Sequence, residues 1–174
     1  TIERHRLPMT PFDNLISAFV QDQTVTRYAN WGEVLGYCVN SANPVGRLVL
    51  YLCGYRDEER QRLSDATCTA LQLANFWQDL GTDVSRGRVY LPADTLRAFG
   101  CDPDAVARGE DSPALRRCLE AEVARARRLL DEGETLAARV EPRLGREVRL
   151  FAAGGRAILR KIERGETFDV PGDG

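Results

Sequence analysis

A row of polar side chains follows one face of an otherwise apolar helical segment between residues 71 and 92. Gln72, Asn75, Asp79 and Asp83 are spaced by three, four and four residues. On an α-helix these four side chains fall within an arc of roughly 80°. The apolar side chains beside that arc are Leu73, Phe76, Trp77 and Leu80. The segment is therefore predicted to form a helix whose polar row meets an apolar row along one edge.

The same helical period recurs along the chain, and no alternating strand pattern of any length is present. Capping residues and prolines set the expected helix bounds. The predicted helices cover about residues 11–24, 30–54 with a break near 41–46, 57–83, 93–99, 113–141 and 144–164. Residues 85–92 and 101–113, which contain Gly, Pro and Asp, are predicted loops. These patterns predict an all-α fold.

Composition limits the classes of protein to which the chain can belong. Its 174 residues, 43% of them hydrophobic, are enough for one domain with a substantial core. The net charge of -2 gives no general attraction to nucleic acid or to an anionic membrane. No stretch approaches the roughly 18 apolar residues of a membrane span. Five cysteines without a Cys-x-x-Cys pair indicate reduced thiols in a cytoplasmic protein.

The two aspartates of the polar row are candidate ligands for a divalent cation. Asp79 and Asp83 are one helical turn apart, which places their Cβ atoms about 5–6 Å from each other. Two carboxylates at this separation can share Mg²⁺, a hard ion that prefers oxygen ligands, and Asn75 adds a neutral oxygen. The alternative is a solvated helix face, on which such acidic pairs are common. The apolar neighbours Leu71 and Phe76 favour the metal site.

The loop after the aspartates carries candidate ligands for an anion. Arg86 and Arg88 could fold back toward the same site, because a guanidinium group matches the geometry of phosphate oxygens. Solvated surface arginines are the alternative, especially for Arg86. A further charged run is interpreted as an exposed helix face with ion pairs. Its members are Glu120, Glu122, Arg125, Arg127 and Arg128.

The stretch from residue 37 to residue 47 combines a tyrosine with small residues around a proline. Ser41, Ala42 and Gly46 would leave room for a ligand beside the backbone, with Tyr37 above it. A close helix crossing with one core tyrosine explains the same pattern. Taken alone, this stretch favours the helix crossing.

Together the two stretches resemble the squalene/phytoene synthase family of head-to-head isoprenoid synthases. The family pattern Gln-x-x-Asn-x-x-x-Asp-x-x-x-Asp, followed by an Arg-Gly-Arg-x-Tyr-x-Pro loop, is matched at Gln72, Asn75, Asp79, Asp83, Arg86, Gly87, Arg88, Tyr90 and Pro92. The pattern Tyr-x-x-x-Val-Ala-Gly-x-Val-Gly is matched at Tyr37, Ala42, Val45 and Gly46, whereas Ser41 and Asn43 depart from it. The Tyr-Cys-x-x-Ser-Ala-Asn-Pro-Val-Gly version resembles the hydroxysqualene synthase branch of bacterial hopanoid biosynthesis.

The resemblance extends over nearly the whole chain, including the segment 22–28, Gly154, Gly155 and the segment 168–170. It implies an isoprenoid synthase-type helical bundle with a single all-helical domain over residues 1–174. Family enzymes carry an earlier aspartate-rich helix, and nothing before Tyr37 resembles it. The chain is therefore expected to be the C-terminal two-thirds of such a bundle. The sequence leaves open whether the N-terminal part was removed or never existed.

The resemblance also implies a reaction, namely the Mg²⁺-dependent conversion of presqualene diphosphate to hydroxysqualene with release of diphosphate. The expected metal ligands are Asn75, Asp79 and Asp83, which would share two or three Mg²⁺ ions in the complete enzyme. Arg88 and Tyr90 would bind the diphosphate, and Ala42, Val45 and Gly46 would contact the substrate. Tyr37 and Gln72 would act near the carbocation, together with Asp79 and Asp83 as the catalytic set. Since water captures the cation in this branch, no NADPH is expected.

Two alternatives stay open within the same resemblance. One is a squalene or phytoene (dehydrosqualene) synthase acting on farnesyl or geranylgeranyl diphosphate. The other is a non-catalytic helical scaffold or assembly factor, which would have no chemical reason to keep the row formed by Asn75, Asp79 and Asp83. The expected partner is a prenyl diphosphate and not nucleic acid. Apolar substrate and product suggest peripheral contact with the inner face of a membrane, and the oligomeric state is undetermined.

Overall fold

The computed structural model describes residues 2–165, and within this range the regular secondary structure is helical. One isolated parallel bridge, between Arg27 and Val89, is the exception. The helices are α1 Thr10–Gln21, α2 Trp31–Ser41, α3 Asn43–Leu52, α4 Glu58–Gln78, α5 Leu80–Ser85, α6 Ala93–Ala98, α7 Pro103–Ala107, α8 Pro113–Glu134 and α9 Pro142–Glu163, with a 3₁₀ helix at Thr135–Ala138. The predicted all-α class is confirmed.

Side-chain caps define where α2 and α4 begin, and these two helices carry candidate site residues. The Asn30 side chain accepts a hydrogen bond from Glu33 N at 3.0 Å and begins α2. Asp57 accepts one from Arg60 N at 3.0 Å and begins α4. Each cap satisfies a backbone donor that has no partner within its own helix. The local sequence thereby fixes where these two helices start.

The predicted break near Pro44 is confirmed, whereas two other predicted bounds are wrong. α2 ends at Ser41 and α3 begins at Asn43. The predicted helix over 57–83 is interrupted at Asp79, where ψ is 9° instead of about -42°. Asp79 and Gly81 are both weak helix formers. The predicted loop 101–113 contains α7, which begins because Asp102 accepts a hydrogen bond from Asp104 N at 3.0 Å.

α4 is the central element, packed against α3, α8 and α9. Close approach of these helices depends on glycine. A Cβ atom at Gly133 of α8 would overlap the Thr67 side chain of α4 and lie 2.7 Å from the Thr67 backbone nitrogen. The absence of that atom lets the two backbones approach each other at this level.

The predicted exposure of the charged run on α8 is wrong at Glu122, whose side chain is 1% exposed. The physical reason is the helical period. Cys118, Glu122 and Ala126 are four residues apart and share the buried face of α8. Arg127 does form the expected kind of surface pair, with Glu163 at 2.6 Å.

All five cysteines lie within residues 2–165 and are free thiols, as expected. None of the helices described in this range is long and apolar enough to cross a membrane. The family-like segment 168–170 lies outside the described residues.

Candidate active site

The polar row of α4 lies on one side of the core despite the interruption at Asp79. The hydrogen bond from Asp79 N to Asn75 O, 2.9 Å, and that from Asp83 N to Asp79 O, 2.8 Å, continue the helical pattern across the break. Asn75 and Asp79 are exposed, while Gln72 and Asp83 are partly buried. Oxygen atoms of the row are therefore accessible to a ligand.

The two aspartates interact electrostatically. Partial burial raises the pKa of Asp83 above its ordinary value, and the negative charge of Asp79 raises it further. Arg86 and Arg88 act in the opposite direction. A bound cation would relieve the repulsion between the two carboxylates.

Carboxylate and amide oxygens are the donor set that Mg²⁺ prefers. No group of three or more acidic, histidine or cysteine side chains within residues 2–165 could hold a metal. Asp79 and Asp83 thus fit Mg²⁺ as part of a coordination shell that further oxygen atoms must complete.

The loop after α5 is held in place by its backbone. Arg88 N donates to Asp83 O at 2.9 Å, and Val89 N donates to Thr26 O at 2.9 Å. Gly87, with φ of 77°, makes the turn that a residue with a Cβ atom would adopt only with strain. The loop therefore returns toward α5, where Asp83 lies.

Arg88 and Tyr90 lie next to each other in this loop. Arg88 Nη1 lies 3.3 Å from the Tyr90 hydroxyl oxygen, and Arg88 Nη2 donates to the backbone oxygen of Asp22 at 2.9 Å. A guanidinium group has five N–H donors, and these two contacts use only part of them.

An aromatic cluster lies beneath the loop. Phe76 and Tyr90 are stacked with ring centroids 3.8 Å apart and an interplanar angle of 5°. Tyr37 lies 5.8 Å from Phe76 and 6.1 Å from Tyr90, and Tyr28 lies 6.0 Å from Tyr37. The cluster therefore links Tyr37, which is expected near the carbocation, to Tyr90 and its neighbour Arg88, which are expected at the diphosphate.

The hydroxyl groups of Tyr28 and Tyr37 are held in the protonated form by raised pKa values. Burial raises the pKa of Tyr37 far above its ordinary value, and the neighbouring Asp22 carboxylate raises it further. Burial raises the pKa of Tyr28 to about 12. An open cavity of about 370 Å³ lies at Tyr28 and Tyr37. Tyr37 is therefore a neutral hydrogen-bond donor at the edge of that cavity.

The sequence includes residues 22–28 in the resemblance but predicts no specific role for Asp22, Tyr28 or Phe76 in this arrangement. Phe76 appeared there as one of the apolar neighbours of the row, with no expected contact to Tyr90. Asp22 and Tyr28 precede α2, and they meet the site because the chain around them pairs with the loop after α5. No local period signals such a pairing.

Ala42, Val45 and Gly46 lie at the junction of α2 and α3. A Cβ atom at Gly46 would overlap Ser64 Oγ and lie 2.7 Å from Cys68 Sγ, so α3 and α4 cross closely here. An apolar cavity of about 210 Å³ also lies at this point. Its lining is Val45, Gly46, Val49, Leu50, Ser64, Thr67, Cys68, Leu71, Leu136, Leu144, Glu147, Val148 and Phe151. The helix crossing and room for an apolar ligand thus coexist.

The cavity and the polar row share one face of α4. Ser64, Cys68 and Leu71 line the cavity and are followed at helical spacing by Asn75 and Asp79. Fifteen residues at 1.5 Å each separate Ser64 from Asp79, which gives about 22 Å. The face runs from an apolar end to an acidic end.

The chain is similar to known proteins over most of its length. The family profile described as squalene/phytoene synthase matches residues 1–171. Hydroxysqualene synthase of Rhodopseudomonas palustris is 40% identical over 163 residues, which are 92% of this chain and 55% of the relative. Phytoene synthase of Thermus thermophilus is 33% identical over 92% of this chain and 55% of the relative.

A solved structure shows the same fold. Squalene synthase HpnC from Alicyclobacillus acidocaldarius superposes with a TM-score of 0.92 and 47% identity, over 95% of this chain and 63% of that protein. The chain thus spans about half the length of the two curated relatives. The profile match and the relatives together show that the chain belongs to the squalene/phytoene synthase family of isoprenoid synthases.

Proposed function

We propose that this chain carries the Mg²⁺- and diphosphate-binding part of an enzyme that converts presqualene diphosphate to hydroxysqualene. The observation that supports it best is a single helical face that runs from an apolar cavity along α4 to the exposed Asp79 and continues to the partly buried Asp83 on α5. A prenyl diphosphate has the same division into a charged end and a hydrocarbon end. The 40% identity to a hydroxysqualene synthase favours this substrate within the family.

Asn75, Asp79 and Asp83 would hold Mg²⁺ at the charged end. The bound metal would neutralise charge on the departing diphosphate oxygens. Burial raises the pKa of Asp83 most, and the repulsion from Asp79 that raises it further would be relieved on binding. The acidic pair is therefore arranged for a cation.

Arg88 and Tyr90 would bind the diphosphate as it leaves. The carbon–oxygen bond breaks and its electron pair departs with the diphosphate. Arg88 can donate to the oxygen that gains charge, because its guanidinium group is already oriented by Asp22 O and lies beside Tyr90.

The hydrocarbon end needs dry walls and π-electron density around the carbocation that remains. The faces of Tyr37 and Phe76 would provide that density, with Gln72 beside them on the row. Ala42, Val45 and Gly46 would contact the hydrocarbon at the cavity. Water then adds to the cation and loses a proton, so no nicotinamide is consumed.

A squalene-forming outcome is the second candidate, favoured by the 47% identity to a protein described as a squalene synthase. The two outcomes differ in their last step, since squalene formation requires hydride transfer to the cation. In either case the hydrocarbon substrate would be supplied at the cytoplasmic surface of a membrane. A scaffold role would need neither Mg²⁺ nor a prenyl diphosphate.

Calorimetric titration of the chain with pyrophosphate tests the charged end. We expect binding that requires Mg²⁺ and that is lost in Asp79→Asn and Asp83→Asn. Asp13→Asn, an exposed acid on α1, is the matched control and should bind like the unmodified chain. Equal binding by all four proteins, or none by the unmodified chain, would show that the proposal is wrong.

An activity assay tests the reaction. The chain is assayed with presqualene diphosphate and Mg²⁺, alone and fused to the part of the Alicyclobacillus acidocaldarius relative that it does not match. The fusion is expected to release diphosphate and form hydroxysqualene without NADPH. A product that appears only with NADPH would favour squalene formation instead, and no diphosphate release from a folded fusion would contradict the enzymatic role.

A further inference from the structure

Helix α9 carries a stripe of exposed residues on the side that faces away from the core. Its members lie at helical spacing, within an arc of roughly 80°, and all of them are exposed: Arg143, Arg146, Leu150, Gly154, Ala157 and Lys161. None of them is acidic, and Leu150 is 66% exposed. This outer stripe of α9 therefore has cations at its two ends and apolar or small side chains between them.

The cations of the outer stripe are not neutralised by ion pairs. The ion pairs of α9 are formed by Arg156, with Asp131 and Glu134, and by Glu163. The basic residues of the stripe form none with any residue that the structure describes. Their charge is therefore available to an external anion.

Two acids lie near the outer stripe. Glu141 caps α9, and its carboxylate accepts hydrogen bonds from the backbone nitrogen atoms of Arg143 and Leu144 at 2.8 and 2.7 Å. Glu147 is exposed beside the stripe and lines the apolar cavity. The positive charge of α9 exceeds theirs, because the helix holds six basic residues and only two acidic ones, Glu147 and Glu163. The local charge is thus positive although the net charge of the chain is -2.

The outer stripe adjoins the mouth of the apolar cavity. The cavity is lined from α3, α4 and α9, and both α3 and α9 pack on α4. Three of the lining residues are also exposed, namely Val45 at 53%, Val49 at 41% and Phe151 at 56%. They mark the place where the cavity opens to the surface. Phe151 directly follows Leu150, so the apolar mouth and the cationic stripe meet along α9.

We propose that the outer stripe of α9 docks on an anionic lipid surface and thereby turns the mouth of the cavity toward the membrane. At such a surface, basic side chains stay at the level of the headgroups while apolar side chains enter the acyl boundary. Arg143 and Arg146 would contact lipid phosphate groups, and Leu150 and Phe151 would enter the bilayer. A second copy of the chain is a poorer occupant, because a twofold contact through this stripe would bring its cations together.

Flotation with lipid vesicles, without Mg²⁺ or substrate, tests the docking. We expect the chain to bind vesicles made of equal parts of phosphatidylglycerol and phosphatidylcholine, and to be released from them by salt. Arg143→Gln combined with Arg146→Gln should weaken binding about tenfold or more. Arg97→Gln combined with Arg117→Gln removes the same charge at exposed residues of α6 and α8 and should not. No binding by the unmodified chain, or equal loss in the two double variants, would overturn the proposal.

The apolar contribution is tested at a single side chain. Leu150→Gln should weaken vesicle binding about fivefold or more, because the apolar side chain no longer leaves water. Its exposure means that the fold should be unchanged, which urea denaturation checks. Ile16→Gln, at a site on α1 that is 60% exposed, is the matched control and should bind like the unmodified chain. An equal or larger loss in Ile16→Gln would contradict docking through α9.

Other occupants of this face give different results. A chain that binds no vesicles but sediments as a dimer, which Leu150→Gln dissociates, would show that the stripe is an interface between copies. Flotation is repeated with a fusion of the chain to the part of the Alicyclobacillus acidocaldarius relative that it does not match. Vesicle binding by the chain but not by the folded fusion would show that this part covers the face. Either result overturns the proposal.

Delivery of substrate from the membrane rests on the proposed function, whereas lipid binding does not. A chain that binds vesicles but no Mg²⁺-pyrophosphate would refute the proposed function and leave the docking intact, and the converse result would refute the docking alone. If both hold, the fusion should turn over presqualene diphosphate supplied in vesicles about tenfold faster than its Arg143→Gln, Arg146→Gln variant. Substrate in detergent micelles should be turned over equally by the two. A variant that is slower to the same degree in micelles would show that the two arginines do not act through the membrane.

Discussion

Tyr90 lies flat on Phe76, with ring centroids 3.8 Å apart and planes inclined by 5°. This contact joins the loop that carries Arg88 to the last turn of α4, directly before Asp79. The geometry of the charged end therefore depends on an apolar contact beneath it.

Replacing the Phe76 ring tests whether the charged residues depend on its contact with Tyr90. Phe76→Leu should reduce the free energy of unfolding by at least the 0.5–1.5 kcal/mol or so that an aromatic pair contributes beyond its buried area. It should also weaken Mg²⁺-dependent pyrophosphate binding, because Arg88 loses its support. Urea denaturation and calorimetry measure the two effects. Phe19→Leu, at a site that is 66% exposed, is the matched control and should change neither.

Removing only the hydroxyl group of Tyr90 distinguishes an effect on pyrophosphate binding from an effect on the free energy of unfolding. Tyr90→Phe keeps the stack but deletes the oxygen that lies 3.3 Å from Arg88 Nη1. We expect unchanged urea unfolding and pyrophosphate binding weakened by up to about tenfold, or about 1.4 kcal/mol. Unchanged binding would exclude Tyr90 from the diphosphate site.

The raised pKa of Asp83 predicts that Asp83→Asn stabilises the fold, although the same variant is expected to lose Mg²⁺-dependent pyrophosphate binding. Because burial and the charge of Asp79 raise the pKa of Asp83, the folded chain favours its protonated form more than the unfolded chain does. Protonated Asp83 therefore makes its full contribution to stability below the pKa that Asp83 has in the unfolded chain. This contribution is lost as the pH rises through the pKa of Asp83 in the folded chain. At pH 7 without Mg²⁺, Asp83→Asn should thus have a higher Tm than the unmodified chain, and the difference should shrink as the pH is lowered toward 4. Scanning calorimetry measures this, and a lower Tm at pH 7 would contradict it.

The close approach of α4 and α8 at Gly133 predicts that one added methyl group there strongly lowers the free energy of unfolding. Gly133→Ala should lower the free energy of unfolding by about 1–3 kcal/mol, because the added Cβ atom overlaps Thr67. Gly154→Ala, in α9 with no atom within 4 Å of its added Cβ, should instead raise it by about 0.5–1 kcal/mol. Urea denaturation of the pair decides the matter, and equal effects would contradict the packing described.

The apolar cavity can be filled without touching the charged end. Cys68→Phe places a ring in the cavity lined by Gly46 and Phe151. In the fusion protein we expect turnover of presqualene diphosphate to fall by about tenfold or more, with Mg²⁺-dependent pyrophosphate binding unchanged. Cys53→Phe, at an exposed cysteine, is the control. Equal turnover by the two variants would place the hydrocarbon elsewhere.

Local sequence determines much of this fold. The caps at Asn30 and Asp57 and the break before Pro44 follow from single residues and their neighbours, and the structure contains all three. The spacing of Asp79 and Asp83 by one helical turn follows from the local sequence, although the structure places Asp79 at the end of α4 and Asp83 on α5. These features need no knowledge of distant contacts.

Other features depend on contacts between distant segments, which local patterns do not encode. The pairing of Thr26 with Val89 brings Asp22 to Arg88, although more than 60 residues separate them in the chain. The burial of Glu122 requires knowing which face of α8 meets α4. The change of backbone direction at Asp79 is a matter of one torsion angle, and a periodic pattern averages over it.

The shared face of α4 also sets a distance along which a bound substrate has to extend. A substrate held at Asp79 by its diphosphate must reach about 22 Å along the helix before its tail comes level with Ser64. A prenyl chain with too few isoprene units would be anchored but would leave the far cavity empty. Discrimination among substrates of identical head group could then arise from reach alone.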